Sequence, residues 1–344
     1  MTGALRHRTV QLHPSRHCNL ACGHCYSSSG PHETEALPVT QLIAFLAEAR
    51  AQGYECVAVS GGEPLLYPGL GDLLPAAKEL GLWCVGVTNG TVHRDVDLAL
   101  MAQFDLIAVS IDGPEPMHNA LRRSPTAFAR AVKGLERMRE RGIPFGIVHA
   151  ATRDSLEHLG WLAEFAEGFG AQVLQLHPLG FVGEAAANLS ALDGDTCARI
   201  HLAARYLAAE YGERLNIHVD LFNREELRLE AQPVVPPWAD RGSTRPLSDL
   251  INPLVVMADG TLSPICHGMG AEHLIGSLVQ GTLGQISAAY QTGRYPDFRA
   301  FCQTLLDEVL AEEDAWPFFN WYELLELRSK AVGAGATGRT PIPA

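Results

Sequence analysis

Apolar residues along this chain fall in short runs separated by amphipathic stretches. Thr9-Val10-Gln11-Leu12 alternates and predicts a strand, with Pro14 behind it. From Pro38 the spacing turns helical: Leu42, Ile43, Leu46 and Ala49 share a face, Thr40 can cap it and Gly53 ends it. Cys56-Val57-Ala58-Val59-Ser60 is apolar again and runs straight into Gly61-Gly62-Glu63-Pro64. The alternation repeats. Helices are predicted over 69–80 (with Pro75 as a kink), 95–103, 126–141 and 156–169, and strands over 83–88, 106–111, 144–150 and 173–179. Six strands alternating with helices predict parallel βα units, whose crossovers of one hand curl the sheet into part of a barrel. Reactive loops then gather at the carboxyl ends of the strands.

After Gly183 the repeat is expected to stop. Helix 195–211, a short strand Asn216-Ile217-His218-Val219, and the four prolines between Gln232 and Pro246 suggest a linker or a lid over the site. Ile251 to Met257 followed by Asp259-Gly260 reads as a hairpin. Residues 297–332 read as helical, with Phe301, Leu305, Leu306, Val309 and Leu310 on one side. The aromatics Trp316, Phe318, Phe319, Trp321 and Tyr322 read as core or a packing edge, and 333–344 as a disordered tail. The expected division is a barrel over 8–183, a helix and proline-rich connector over 184–249, a C-terminal extension over 250–332, and the tail.

Composition narrows the class without naming it. The 344 residues suffice for one large α/β domain or a smaller one with an appendage, and 47% apolar with 19% charged residues is ordinary globular composition. A net charge of −13 opposes general binding to nucleic acid or anionic lipid. No apolar run reaches membrane-spanning length and no apolar segment follows Arg6-His7-Arg8, so a cytoplasmic protein without membrane or nucleic-acid partners is expected. The eight cysteines do not form a secreted disulfide pattern.

Three of those cysteines carry the chemistry. Cys18, Cys22 and Cys25 are spaced C-x3-C-x2-C at the end of the first strand. Thiolates are soft ligands suited to iron-sulfur clusters, and three of them leave one iron of a four-iron cluster open for a substrate or cofactor. A structural zinc site, with His13, His17 or His24 as fourth ligand, is the competing reading, although no second C-x-x-C exists.

The nonapeptide Cys18–Tyr26 resembles the signature of the radical S-adenosylmethionine (SAM) enzymes. That resemblance implies a 4Fe-4S cluster on Cys18, Cys22 and Cys25, SAM as cofactor, and a partial (βα)6 TIM-like barrel with a smaller α+β extension. It sets His24 near the adenine and gives Gly61, Gly62, Glu63 and Pro64 the role of the GGEP motif that holds the amino group of SAM's methionine. Ser110, Asp112 and Arg122, with His118, resemble the segment of the peptide-modifying branch that contacts SAM's ribose and carboxylate; in turn-forming sequence the same residues are also ordinary. Asn89 and His177 are carried as further cofactor contacts because they fall at the same strand ends.

Residues 250–278 resemble the opening of the SPASM or twitch extension, which binds auxiliary clusters. After the barrel only Cys197, Cys266 and Cys302 remain, one short of a cluster, so no auxiliary cluster is expected unless His267 or His273 completes a reduced site. Cys56 and Cys84 read as core. The implied reaction is reductive cleavage of SAM to a 5′-deoxyadenosyl radical that takes hydrogen from a substrate, with an electron from a flavodoxin or ferredoxin. Maturation of a ribosomally made peptide is the favoured setting. Nothing before Thr9 has the length of a recognition domain, so a leader peptide would need a separate partner or the barrel itself. A small biosynthetic metabolite as substrate, or an iron-sulfur carrier that never cleaves SAM, are the alternatives.

Overall fold

A computed structural model describes residues 7–180, 182–231, 234–312 and 317–333. The barrel half comprises β1 (Thr9–Leu12), α1 (Val39–Ala51), β2 (Cys56–Val59), α2 (Leu70–Glu79), β3 (Trp83–Thr88), α3 (Asp95–Met101), β4 (Leu106–Ser110), α4 (Glu115–Leu121), α5 (Ala127–Glu140), β5 (Phe145–Ala151), α6 (Leu159–Phe169) and β6 (Val173–Pro178). Then follow α7 (Glu184–Asn188), α8 (Gly194–Tyr211), β7 (Asn216–Val219), β8 (Phe222–Asn223), α9 (Arg224–Leu229), β9 (Leu254–Val256), β10 (Thr261–Pro264), β11 (Gly276–Ser277), α10 (Leu283–Thr292), α11 (Tyr295–Ala311), β12 (Phe318–Phe319) and α12 (Trp321–Gly333).

The main sheet has ten strands in the order β11-β10-β9-β1-β2-β3-β4-β5-β6-β7, parallel from β9 through β7. Strand alternation sorts its two faces. On β1, Val10 and Leu12 are buried among the outer helices, whereas Thr9 and Gln11 are only half buried. Helix α1 covers them with Leu42, Phe45, Leu46 and Ala49, one stripe of a 3.6-residue period. On the inner face the register aligns Ser110, Val148, Gln175 and His218 across β4 to β7. This is the mixed α/β, largely parallel partial barrel expected from the alternation.

Two features differ from expectation. The βα repeat does not stop at Gly183: β7 pairs parallel with β6 and continues the same sheet, because α8 serves as one more crossover helix. The helical run over 297–332 is two helices, α11 and α12, separated by β12, which pairs with β8. The predicted hairpin forms as β9 and β10. Its first strand lies parallel to β1, so the extension adds directly to the barrel sheet.

The end of the proline-rich segment runs along the amino ends of the strands. Leu247 N–H donates to Gln52 Oε1 at 2.9 Å and Arg8 pairs with Asp249 at 2.6 Å, both on the face opposite the cysteine loop. There the chain acts as a connector that returns it to β9. Trp316 and the tail 334–344 lie outside the described residues.

Candidate functional site

The loop after β1 climbs to the carboxyl end of the sheet and is tied down at both sides. Cys18 N–H donates to the Gly30 carbonyl at 3.1 Å, Gly23 N–H to the Leu121 carbonyl at the end of α4 at 2.8 Å, and Glu184 N–H to the Cys25 carbonyl at 2.9 Å. N–H donors already point at two of the sulfurs. Leu20 N–H lies 3.5 Å and Asn89 Nδ2 3.8 Å from Cys18 Sγ, and Ser29 N–H lies 3.3 Å from Cys25 Sγ. Burial pushes the Cys18 thiol up to about 12, and Glu63, Cys22 and Cys25 add to it. The Cys22 thiol is raised by burial too, against the opposing field of Arg122. Thiols held this way become thiolates only when a cation shares their charge.

Among the described residues, no three His, Cys, Asp or Glu side chains converge closely enough to hold a single ion. His13 stacks on His267 with centroids 5.2 Å apart, and His24 Nε2 lies 3.7 Å from Asp112. A four-iron cluster places each iron at its own corner. Three thiols in one loop, interacting through their fields and supplied with N–H donors, fit that group and not a lone zinc.

The turn after β2 sits directly beneath this loop. A Cβ on Gly62 would lie 2.0 Å from the His17 carbonyl oxygen, and Gly61 has φ +101°, so both positions require glycine. Glu63 follows with a carboxyl turned inward. It accepts from Asn89 N–H at 2.8 Å, Thr88 Oγ1 at 2.8 Å and Leu65 N–H at 3.3 Å, clamping the ends of β2 and β3 together. Burial raises it to about 7 against those bonds. Pro64, buried, starts the turn that leads away. Asn89 donates from Nδ2 to Asn19 Oδ1 at 2.9 Å, which joins the end of β3 to the cysteine loop.

Beyond β4 the chain builds a buried charged nest. Arg122 Nε donates to Asp112 Oδ2 at 2.7 Å, and Asp112 N–H to His118 Nδ1 at 3.1 Å. Burial alone would raise the Asp112 carboxyl; Arg122 and the neighbouring His24, His118 and His149 hold it well below the usual range instead. Burial and Arg122 lower His118 to about 4, so it is neutral. Asp112 Oδ1 and His24 Nδ1 are buried without partners. Ser110 stands half buried at the end of β4. Thus Cys18, Cys22, Cys25, His24, Gly61, Gly62, Glu63, Pro64, Asn89, Asp112 and Arg122 form one connected region.

His177 belongs to a different neighbourhood. Its Nδ1 lies 2.6 Å from Asp220 Oδ2, just past β7, and the side chain remains 58% exposed. Surrounding protein lowers its pKa, but the Asp220 hydrogen bond and charge, together with Glu326, leave it raised overall. Sequence alone does not single out Asp220 and Glu326, because no motif marks them and β7 reads from the sequence as lying outside the repeat. Cys266 and Cys302 are fully buried thiols raised by that burial, and Cys197 is buried on α8.

Residues 12–166 match the family model of the Radical SAM superfamily. The chain is 28% identical over 211 residues to the sporulation killing factor maturation protein SkfB of Bacillus subtilis, covering 61% of this chain and 51% of that protein. It is equally 28% identical over 232 residues to an AdoMet-dependent heme synthase of Oleidesulfovibrio alaskensis, covering 65% and 55%. It therefore spans about half the length of these curated relatives. Streptococcus suis SuiB, solved with S-adenosylmethionine and with its precursor peptide SuiA, shares the fold: TM-score 0.66 at 19% identity, over 85% of this chain and 68% of SuiB in the first of those structures.

Proposed function

With residues 12–166 belonging to the radical SAM superfamily, we propose that this chain is an enzyme that matures a ribosomally made peptide by radical chemistry. The observation that carries this reading is the three-thiol loop, supplied with N–H donors and seated on the Gly61–Gly62 turn. Cys18, Cys22 and Cys25 would hold a 4Fe-4S cluster, which, with SAM bound, supplies the electron that splits SAM into methionine and a hydrogen-abstracting 5′-deoxyadenosyl radical.

The chain's own residues do the remaining work. Gly61 and Gly62 let the backbone approach a ligand closely, and Glu63 fixes that turn against β3. Asp112, ionised and partly unpartnered, is suited to accept from the ribose hydroxyls, while Arg122 and Ser110 suit the SAM carboxylate. His24, with its buried Nδ1 unpartnered, is suited to meet the adenine edge. The parallel sheet closes the reaction off from water on its inner face. A flavodoxin or ferredoxin serves as reductant.

The name of SkfB and the SuiB–SuiA complex support a peptide substrate. The equal identity to a heme synthase keeps a second reading open, in which the substrate is a small porphyrin-type metabolite. Anaerobic loading with iron and sulfide, then SAM and dithionite, tests the shared chemistry. The expected products are 5′-deoxyadenosine and methionine, absent in Cys22→Ser. A fully loaded protein that yields none is an iron-sulfur carrier, and the proposal fails. A mass change on a short peptide encoded beside the gene separates the two substrate classes.

A further inference from the structure

Against its net charge of −13, the chain concentrates positive charge in one place. Residues 122–141 hold seven basic side chains and two acidic ones, Glu136 and Glu140. Most of the basic groups stand on α5 and at the end of α4, and their geometry links them to the cysteine loop by two routes. The Arg123 guanidinium lies over Gly23, its Nε 3.3 Å from where a Cβ would be, and Gly23 itself is bonded to the end of α4. Arg130 donates to the Thr91 carbonyl at 2.8 Å, and Thr91 Oγ1 accepts from Asn19 of the loop, also at 2.8 Å.

Arg130, Lys133 and Arg137 recur at helical spacing and all act on His93, so they line one outward ridge. Arg137 and Arg141 are neutralised in part by Asp95. Arg123, Arg130 and Lys133 are exposed and make no ion pair among the described residues. Between Cys18 and Cys22, Ala21 is exposed. Gly23, under the Arg123 guanidinium, lies between Cys22 and Cys25, so positive side chains stand directly beside the cysteine loop.

We propose that this ridge, Arg123 with Arg130 and Lys133 of α5, is the docking surface for an acidic one-electron donor protein that feeds the cysteine-loop cluster. The proposal rests on the radical SAM reading of the site. An electron crossing by tunnelling requires the donor's cofactor near the loop, and on a chain of net charge −13 this ridge offers an acidic donor a run of positive charge there. Local positive charge steers such a partner and raises its association rate. With a flavodoxin as donor, the anionic flavin hydroquinone becomes the neutral semiquinone, and the one electron it gives up reduces the cluster, with no proton transferred.

The test uses the full chain, loaded anaerobically, and a flavodoxin as probe. Arg130→Glu/Lys133→Glu is compared with Arg199→Glu/Arg205→Glu on α8, which carries the same charge change away from the loop. Calorimetry with oxidised flavodoxin reads binding, and stopped-flow absorbance reads reduction by flavodoxin hydroquinone and, separately, by dithionite. The α5 variant is expected to lose about tenfold or more in both flavodoxin affinity and flavodoxin-driven rate at low salt. The α8 variant and the dithionite rates should stay at the wild-type values, and added salt should erase the difference. Wild-type flavodoxin rates in the α5 variant would overturn the proposal, as would an equal loss with dithionite or with the α8 variant. Failure to load a cluster or to cleave SAM with dithionite would count against the reading of the site itself.

Discussion

Two carboxyl groups one helical turn apart on α12, Glu323 and Glu326, are shut away from water: burial pushes Glu323 up to about 7 and Glu326 up to about 8. Glu323 Oε1 is moreover buried without a partner. In the unfolded chain such a group loses its proton near its ordinary value, so the folded state holds the proton to higher pH. The stability linked to Glu323 is thus fully present below about 4.5 and is lost as pH rises to about 7. Melting curves from pH 5 to 8 should show the wild type losing ground to Glu323→Gln as pH rises; parallel curves would mean the carboxyl is solvated. Nothing in the local sequence Glu323-Leu324-Leu325-Glu326 announces this, since it reads as an ordinary amphipathic turn. Whether a glutamate meets water depends on partners far away in the chain. The His177–Asp220 pair is obscured for the same reason, because its members lie 43 residues apart, one on β6 and one just past β7.

At the scale of elements, the turn after β2 is the part of the site most exposed to single substitutions. Gly62→Ala would drive a Cβ to 2.0 Å from a backbone carbonyl, whereas a Cβ at Gly30 meets nothing within 4 Å. Urea denaturation should give a loss of about 3 kcal/mol or more for Gly62→Ala and a change within about 1 kcal/mol for Gly30→Ala. Equal effects would remove the steric account of this turn. The turn was legible because two glycines at a strand end have few other uses, and the cysteines because their spacing is chemical. The break between α11 and α12 was not. The apolar period of 297–310 resumes after Pro317, and only the pairing of Phe318 and Phe319 with β8, a contact distant in sequence, makes a strand of those two residues.

For the whole molecule, the question is how many metal clusters one chain carries. After the barrel only Cys197, Cys266 and Cys302 remain, one thiol short of the four that a second cluster takes. Iron analysis after anaerobic loading should therefore give about four irons per chain, and a value near eight would require a rearranged extension. The parallel barrel was readable from the repeat of short apolar runs. The joining of the extension to it was not, because the pairing of Val10 with Leu254 spans most of the chain and leaves no local trace.

That pairing constrains how the protein is made. The strand that launches the three cysteines has β2, which follows it closely in the chain, on one side, but its other neighbour is encoded by Leu254–Val256. Until the ribosome has passed that point, the launching strand remains an open edge, exposed to mispairing. Contacts of such long sequence separation form late. The cysteine loop is thus translated well before the strand that completes its support, and is secured late.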